Sequence, residues 1–370
     1  MSRDDTTTIK TLLTSPLDKQ HRALSARMVS FGGWEMPVQY KGVLAEYRHT
    51  RTKASIFDIS HMGEFKVLTN DKDRSLEKIF TINLSRIPLM KCRYGMILNE
   101  QAGIIDDLIV FRCAQNEWFV VVNAATMEKD EKYIASHLPS ESQLTNLTFQ
   151  LGKIDLQGPE ARTVMKALVP GIEKLAYYSF DFFNLLGENV LISRTGYTGE
   201  LGYEIYYPWE KIHLVWDGLL ANELVEPAGL GARDILRLEM GYSLYGHEMN
   251  ESICPFEAGL DRFVDLSKDF IGREALLAKK DIIKRKLVGF VSSSRRSPRA
   301  RQHIFSMAEE EIGIVTSGTF SPFLEKGIGL GFLPKDYLAQ HKEVYFGDQR
   351  AKTPAIISSR LFYNKGSLKN

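Results

Sequence analysis

The chain has 370 residues, 44% of them hydrophobic and 25% charged, with a formal net charge of +1. These are the proportions of an ordinary globular protein of one to three domains, and the near-neutral charge argues against a nucleic-acid binder or a protein held to an anionic membrane. Cys92, Cys113 and Cys254 lack CxxC spacing, and the eight histidines include no HxH or HExxH pair, so neither a disulfide framework nor a metal site is expected and a reducing, cytoplasmic setting is the default.

In chain order, the N-terminal MSRDDTTTIKTLL carries early acids and no apolar core, so it does not read as a secretory signal. No apolar run is long enough to span a bilayer. Lys53 to Met62 leads into the strand-like GEFKVLTN, and Asp71 to Phe80 has the spacing of a helix. Ile104–Arg112 and Trp118–Ala125 read as two strands of a hairpin. Met127 to Leu138 is an amphipathic helix with acids early and His137 late, as helix ends prefer. The polar stretch from Pro139 to Asn146 is a candidate subdomain boundary. FQLGKIDLQG then reads as a strand, and Pro159 to Leu168 as a helix with proline at its first position. A second hairpin is expected over Phe180 to Ser193, with helices over Glu210 to Leu220 and Leu230 to Tyr245. Near residue 280 the composition changes: basic KKDIIKRK precedes short, turn-bounded runs that suggest a small β-barrel or sandwich of about 90 residues.

Several segments carry chemistry. In SRTGYTGELGYEIY, Gly196 and Gly199 read as turn positions. On the strand that follows, Tyr203 and Ile205 share one face, Glu204 and Tyr206 the other. A carboxylate beside tyrosines at the mouth of a turn suits a flat, hydrogen-bonding ligand; a hairpin with a solvated Glu is the plainer reading. Asp106 and Asp107 interrupt the apolar strand IIDDLIV, where one of them must face inward, and a lone buried carboxylate is costly unless paired. It is either a structural ion pair or an acid that meets a cationic substrate. Arg233 and Arg237, at i and i+4, form either surface salt bridges or an anion clamp. The basic SSSRRSPRARQ lacks interleaved aromatics, so a solvated hairpin tip is favoured over a phosphate or RNA patch. Ser60 and His61, adjacent on an expected strand, should point to opposite faces and not pair. No dinucleotide fingerprint, phosphate loop or GxSxG elbow occurs.

Taken in order, FGGWEMPVQY at Phe31, FDISHMGEF at Phe57, YGMILNEQAGIIDDLIV at Tyr94, VVNAAT at Val121, DLQGPEA at Asp155, AYYSF at Ala176, SRTGYTGELGYEI at Ser193, GLGARDILRLEMGYSLYGHEM at Gly229 and TSGTFSP at Thr316 resemble the aminomethyltransferase, or T-protein, family of the glycine cleavage system. The resemblance runs from about residue 15 to the C-terminus. It implies an α+β, multidomain cloverleaf around a central channel. Two mixed α/β folate-binding subdomains would lie in residues 1–280, with boundaries near 52 and 145, and a C-terminal β-barrel domain in 281–370.

The implied reaction takes the one-carbon unit from the S-aminomethyl-dihydrolipoyl arm of H-protein to tetrahydrofolate, the acceptor substrate, releasing ammonia and giving 5,10-methylenetetrahydrofolate; no metal is implied. By resemblance the family's key aspartate falls on Asp107, where it would stabilise iminium-like cations by position and charge. The pterin-binding glutamate falls on Glu204. Tyr94, Asn123, Tyr177 and Tyr197 match pocket positions, Arg233 matches a cofactor-binding arginine, and Tyr242 lies close by. Tyr363 and Lys365 occupy a segment that closes the site in relatives, with lysine where some members have arginine. Lipoylated H-protein is the implied partner, with neither nucleic acid nor membrane, and Lys286, Arg295, Arg296 and Arg299 to Arg301 form the densest basic region for it. One alternative, a non-catalytic folate-binding accessory protein for iron–sulfur assembly, would carry a KGCYxGQE-like segment where this chain reads GLGARDILRLE. The other, the folate domain of a dimethylglycine or sarcosine dehydrogenase, needs a flavin domain, for which 370 residues are not expected to leave room.

Overall fold

The computed structural model describes residues 11–70 and 75–369. Among these, four β systems organise the chain: a three-stranded sheet, a five-stranded sheet, a six-stranded sheet and a closed six-stranded barrel. The five-stranded sheet runs in the order Cys92–Leu98, Ile104–Arg112, Glu117–Val122, Gly63–Leu68, Gln143–Asn146, and every pairing is antiparallel. The six-stranded sheet runs Phe180–Leu185, Glu188–Ser193, Gly202–Pro208, Leu151–Gln157, Ala54–Asp58, Val225–Pro227, with one parallel pairing between the last two. The two sheets interleave in sequence, because Ala54–Asp58 belongs to one and Gly63–Leu68 to the other. The expected cut near 52 falls at the end of helix Val43–Thr52, and the one near 145 falls inside strand Gln143–Asn146.

Strand alternation divides each sheet into a core face and a cavity face. On the six-stranded sheet, Ile154, Leu156, Tyr203 and Ile205 pack beneath helices Ala161–Leu168 and Ile212–Leu220, which contribute Val164, Met165, Val215 and fully buried Trp216. Truncating a buried tryptophan of this kind to alanine costs about 3–5 kcal/mol. Lys153, Asp155 and Glu204 stand on the opposite face. On the five-stranded sheet, Phe65, Val67, Leu108, Val110 and Val120 pack with Ile134 of helix Met127–His137, while Asp107, Ile109 and Val121 face the cavity. The C-terminal barrel closes in the order Arg285–Ser292, Lys326–Pro334, Glu311–Ser321, His303–Phe305, Glu343–Gly347, Lys352–Ser358.

Four local expectations change. Of the helix expected over Asp71 to Phe80, Ser75–Ile79 is helical, and 71–74 lie outside the described residues. The helix expected to reach Tyr245 ends at Glu239; Gly241 turns with φ of 67°, and a Cβ there would lie 2.3 Å from the Arg360 carbonyl oxygen. Ser60 and His61 sit not on a strand but in the short turn that carries the chain from one sheet to the other. The basic stretch is not a hairpin tip. Strands Arg285–Ser292 and His303–Phe305 are not neighbours in the barrel, so residues 293–302 cross its end, packed closely over Gly318 and Gly327.

Candidate active site

A cavity of about 1430 Å³ lies where the two large sheets, the helix Leu230–Glu239 and the C-terminal tail meet. From the five-stranded sheet comes the acidic wall. Asp106 and Asp107 point to opposite faces of their strand. Asp106 is fully buried and accepts from the Asn123 backbone N–H at 3.0 Å and from its Nδ2 at 2.9 Å. Asp107 faces the cavity and accepts from the same Nδ2 at 2.8 Å. Asn123 is therefore a clamp between two carboxylates. It sits where strand Glu117–Val122 turns toward the helix, which is why the strand stops short of the expected Ala125. Burial, then the charge of Asp106, pushes the Asp107 carboxyl up to about 7 against the pull of hydrogen bonds from Tyr94 and Asn123. Behind them, burial and Asp106 push Asp130 up to about 10.

The six-stranded sheet supplies the polar wall opposite. Glu204 Oε2 accepts from the Thr195 hydroxyl at 2.8 Å and from the Tyr206 hydroxyl at 3.3 Å, with the Lys153 ammonium 3.8 Å away. Asp155 pairs in register with Glu204 on the neighbouring strand and holds Arg233 at 2.6 Å. Burial pushes Asp155 up to about 7, although Arg233 pulls it down. The two arginines do not act as one clamp. Arg233 lies between Asp155 and the Tyr197 ring, 5.0 Å from its centroid. Arg237 binds Asp234 at 2.7 Å, Glu248 at 3.3 Å and Ser317 at 2.9 Å, which fastens the helix to the barrel.

Tyrosines form the rest of the wall. Tyr197 and Tyr242 stack at 5.6 Å and 21°, and the Tyr197 hydroxyl donates to the Ser243 carbonyl. Tyr177 packs edge-on against Tyr178, and Tyr94 faces Asp107. The turn that presents Tyr197 needs glycine: Gly199 has φ of 80°, and a Cβ there would sit 2.2 Å from Met240 Sδ.

Seven of the sequence-derived contacts, Tyr94, Asn123, Tyr177, Tyr197, Glu204, Arg233 and Tyr242, therefore line one cavity with Asp107. Tyr363 and Lys365 do not reach its wall. The Tyr363 ring lies 3.8 Å beneath the Arg51 guanidinium, which also binds Glu200 and Glu239 at 2.8 Å each. Lys365 is exposed, 5.7 Å from the Phe323 ring. Neighbours on the same tail, Arg360, Leu361, Leu368 and Lys369, line the cavity instead. Ser367 pins the tail by donating to Glu200 from its N–H at 2.8 Å and its hydroxyl at 2.6 Å.

Two cavity residues, His61 and Lys153, escaped the sequence reading as site residues, as did Asp155, which holds the cavity's Arg233 from behind. The charges at 153 and 155 interrupt an apolar strand just as Asp106 and Asp107 do, so the same signal was available there. His61 is held down to about 4 by burial, so it is neutral at physiological pH. Lys286, Arg295, Arg296, Arg299 and Arg301 are exposed on the barrel side and do not line the cavity. Among the described residues no helix is long and apolar enough to cross a membrane.

The profile described as the GCVT N-terminal domain matches residues 17–268, and that of the glycine cleavage T-protein C-terminal barrel domain matches 285–364. The chain belongs to the glycine cleavage T-protein family. It is 39% identical over 361 residues to the aminomethyltransferase of Pseudothermotoga lettingae, covering 96% of this chain and 99% of that one. It is 41% identical over 358 residues to that of Chloroherpeton thalassium, covering 95% and 99%. The crystal structure of glycine cleavage system aminomethyltransferase T from Bartonella henselae superposes with a TM-score of 0.91 at 32% identity, covering 96% and 99%. The activity is that of an aminomethyltransferase of the glycine cleavage system, and the barrel predicted from short strands is the family's C-terminal domain.

Proposed function

We propose that the cavity binds tetrahydrofolate and receives the S-aminomethyl-dihydrolipoyl arm of H-protein. The observation that carries this reading is the meeting of Asp107, Glu204 and Arg233 on the walls of one cavity among six tyrosines. Glu204 accepts the N–H groups of the pterin edge, and Tyr94, Tyr177, Tyr197 and Tyr242 pack on its flat rings. Asn123 orients Asp107, Arg233 holds the folate side, and Tyr363, packed under Arg51, acts by holding the tail rather than by touching ligand.

In the reaction, the transferred carbon loses its bonds to sulfur and nitrogen and gains bonds to N5 and N10 of the folate. Two N–H protons leave the folate; one is taken by the thiolate and one by the departing amine. The carbon passes through iminium character, which a carboxylate in a low-dielectric wall stabilises. Asp107, at about 7, is also suited to pass a proton near neutral pH. The partner is a lipoylated H-protein, met by the local basic groups of the barrel, and the work is expected to take place in the cytoplasm. The test is formation of methylenetetrahydrofolate from aminomethylated H-protein with tetrahydrofolate present or omitted. No folate-dependent product would overturn the proposal.

A further inference from the structure

Lys153 is a fully buried lysine on the cavity wall, and its surroundings leave it short of acceptors. An ammonium has three N–H donors. The closest partners here are the Met62 thioether at 3.7 Å, a weak acceptor, and Glu204 Oε2 at 3.8 Å, beyond hydrogen-bond length. The Tyr206 ring lies 4.8 Å away. Glu64, fully buried on the adjoining sheet, is held well above the usual carboxylate range by burial, so Glu204 is the ionic partner of Lys153. The Thr195 and Tyr206 hydroxyls and the ammonium all approach Oε2 of Glu204. Oε1 is thus the oxygen through which Glu204 can take a ligand's N–H groups. The cavity therefore presents an acceptor, Glu204, directly beside a cationic donor, Lys153, whose one hydrogen bond goes to a weak thioether acceptor.

We propose that this pair reads the pterin edge, Glu204 taking the 2-amino and N3–H donors and Lys153 donating to the 4-oxo group, so that the site selects a 4-oxo ring over a 4-amino one. The inference deepens, and rests on, the folate reading. A 4-amino ring places a donor where Lys153 needs an acceptor, and when protonated it sets a cation beside an ammonium. A site built to hydrogen-bond one group discriminates strongly against an analogue that cannot answer it. Asp155 is paired with Arg233 and so does not compete for the ammonium.

The test is calorimetry under anaerobic conditions with tetrahydrofolate and its 4-amino counterpart, tetrahydroaminopterin, on the full chain. The wild type binds the 4-oxo ligand more tightly. Lys153→Met weakens it roughly 10- to 100-fold, while affinity for the 4-amino ligand stays within about threefold or rises. Lys153→Gln, which keeps a neutral donor, falls between. Parallel losses for both ligands in a variant that melts like the wild type, or no change for either, overturn the proposal. So does a wild type that prefers the 4-amino ring, whether or not either variant folds. Failure of the folate reading looks different: the wild type then binds neither ligand, or Glu204→Gln leaves both affinities unchanged.

Discussion

Replacing Asp107 by asparagine separates charge from shape. The substitution keeps an oxygen to accept from Asn123 Nδ2, now at 2.8 Å, and leaves the buried Asp106–Asn123 clamp intact. What is lost is a negative charge facing the reacting carbon. At about 4 Å and an effective dielectric near 20, one carboxylate stabilises a unit cation by about 4 kcal/mol. Iminium character is partial and Asp107 is partly protonated near neutral pH, so a loss of about 3–4 kcal/mol, roughly 100- to 1000-fold in kcat, is expected. Folate affinity should change less than about threefold, because the neutral ligand gains little from that charge. The assay is single-turnover formation of methylenetetrahydrofolate from aminomethylated H-protein, alongside calorimetry with tetrahydrofolate, from pH 6 to 9. In the wild type the rate rises through about pH 7 as Asp107 loses its proton, and in Asp107→Asn that limb disappears. A normal rate for Asp107→Asn, with Asp106→Asn severely impaired, would refute the division of labour between the two carboxylates.

Other outcomes follow from the same geometry. Glu204→Gln sets an amide donor against the ring's amine, so tetrahydrofolate affinity measured by calorimetry falls roughly 5- to 150-fold. Asp130 binds its proton more tightly folded than unfolded, so its stability contribution is complete below about pH 4 and drains away as pH rises toward about 10. Each pH unit in that window costs up to about 1.4 kcal/mol. Wild-type melting temperature therefore falls between pH 6 and 9, and Asp130→Asn flattens the fall in a calorimetric scan. Replacing Arg295, Arg296 and Arg301 by serine raises the KM for H-protein and flattens its salt dependence while folate affinity holds, since exposed charges act mainly on association. Steady-state kinetics at low and high salt check this, and unchanged kinetics at low salt would mark the stretch as a solvated loop.

Local pattern carried much of the fold. The alternation of Ile104–Arg112, the helix over Met127–His137 and the hairpin from Phe180 were legible because each is decided by neighbours in sequence. That hairpin turns at Leu186 and Gly187, both at positive φ, as a two-residue connection requires. What was not legible is decided by distant partners. The helix stops at Glu239 where Gly241 takes a positive φ, a local signal that the sequence offered; the tail's Arg360 carbonyl packed against that glycine is the part decided at a distance. The interleaving of two sheets through the turn at Ser60 and His61 is a matter of long-range pairing. In the site, Asp107 and Glu204 stood out as charges in apolar strands. Lys153 and Asp155 gave the same signal, but their meaning depends on Glu204 and Arg233 lying beside them. Tyr363 was placed by the resemblance at the ligand; its ring is instead occupied by Arg51.

The pinning of residues 359–369 sets an order of events in the life of the chain. Arg51, Glu200 and Glu239 are synthesised long before Tyr363 and Ser367, and until those arrive Arg51 has only the more distant Tyr47 ring, at 5.4 Å, and Glu200 lacks two donors. A loop closed over so much chain is entropically slow to form, and the contacts that reward it come last. A chain still emerging from the ribosome has an Asp107 and a Glu204 but no wall of Arg360 to Lys369 to enclose what they bind. Enclosure of the cavity therefore waits on residues 359–369, so the wall that they supply is added after every other part of it has been made.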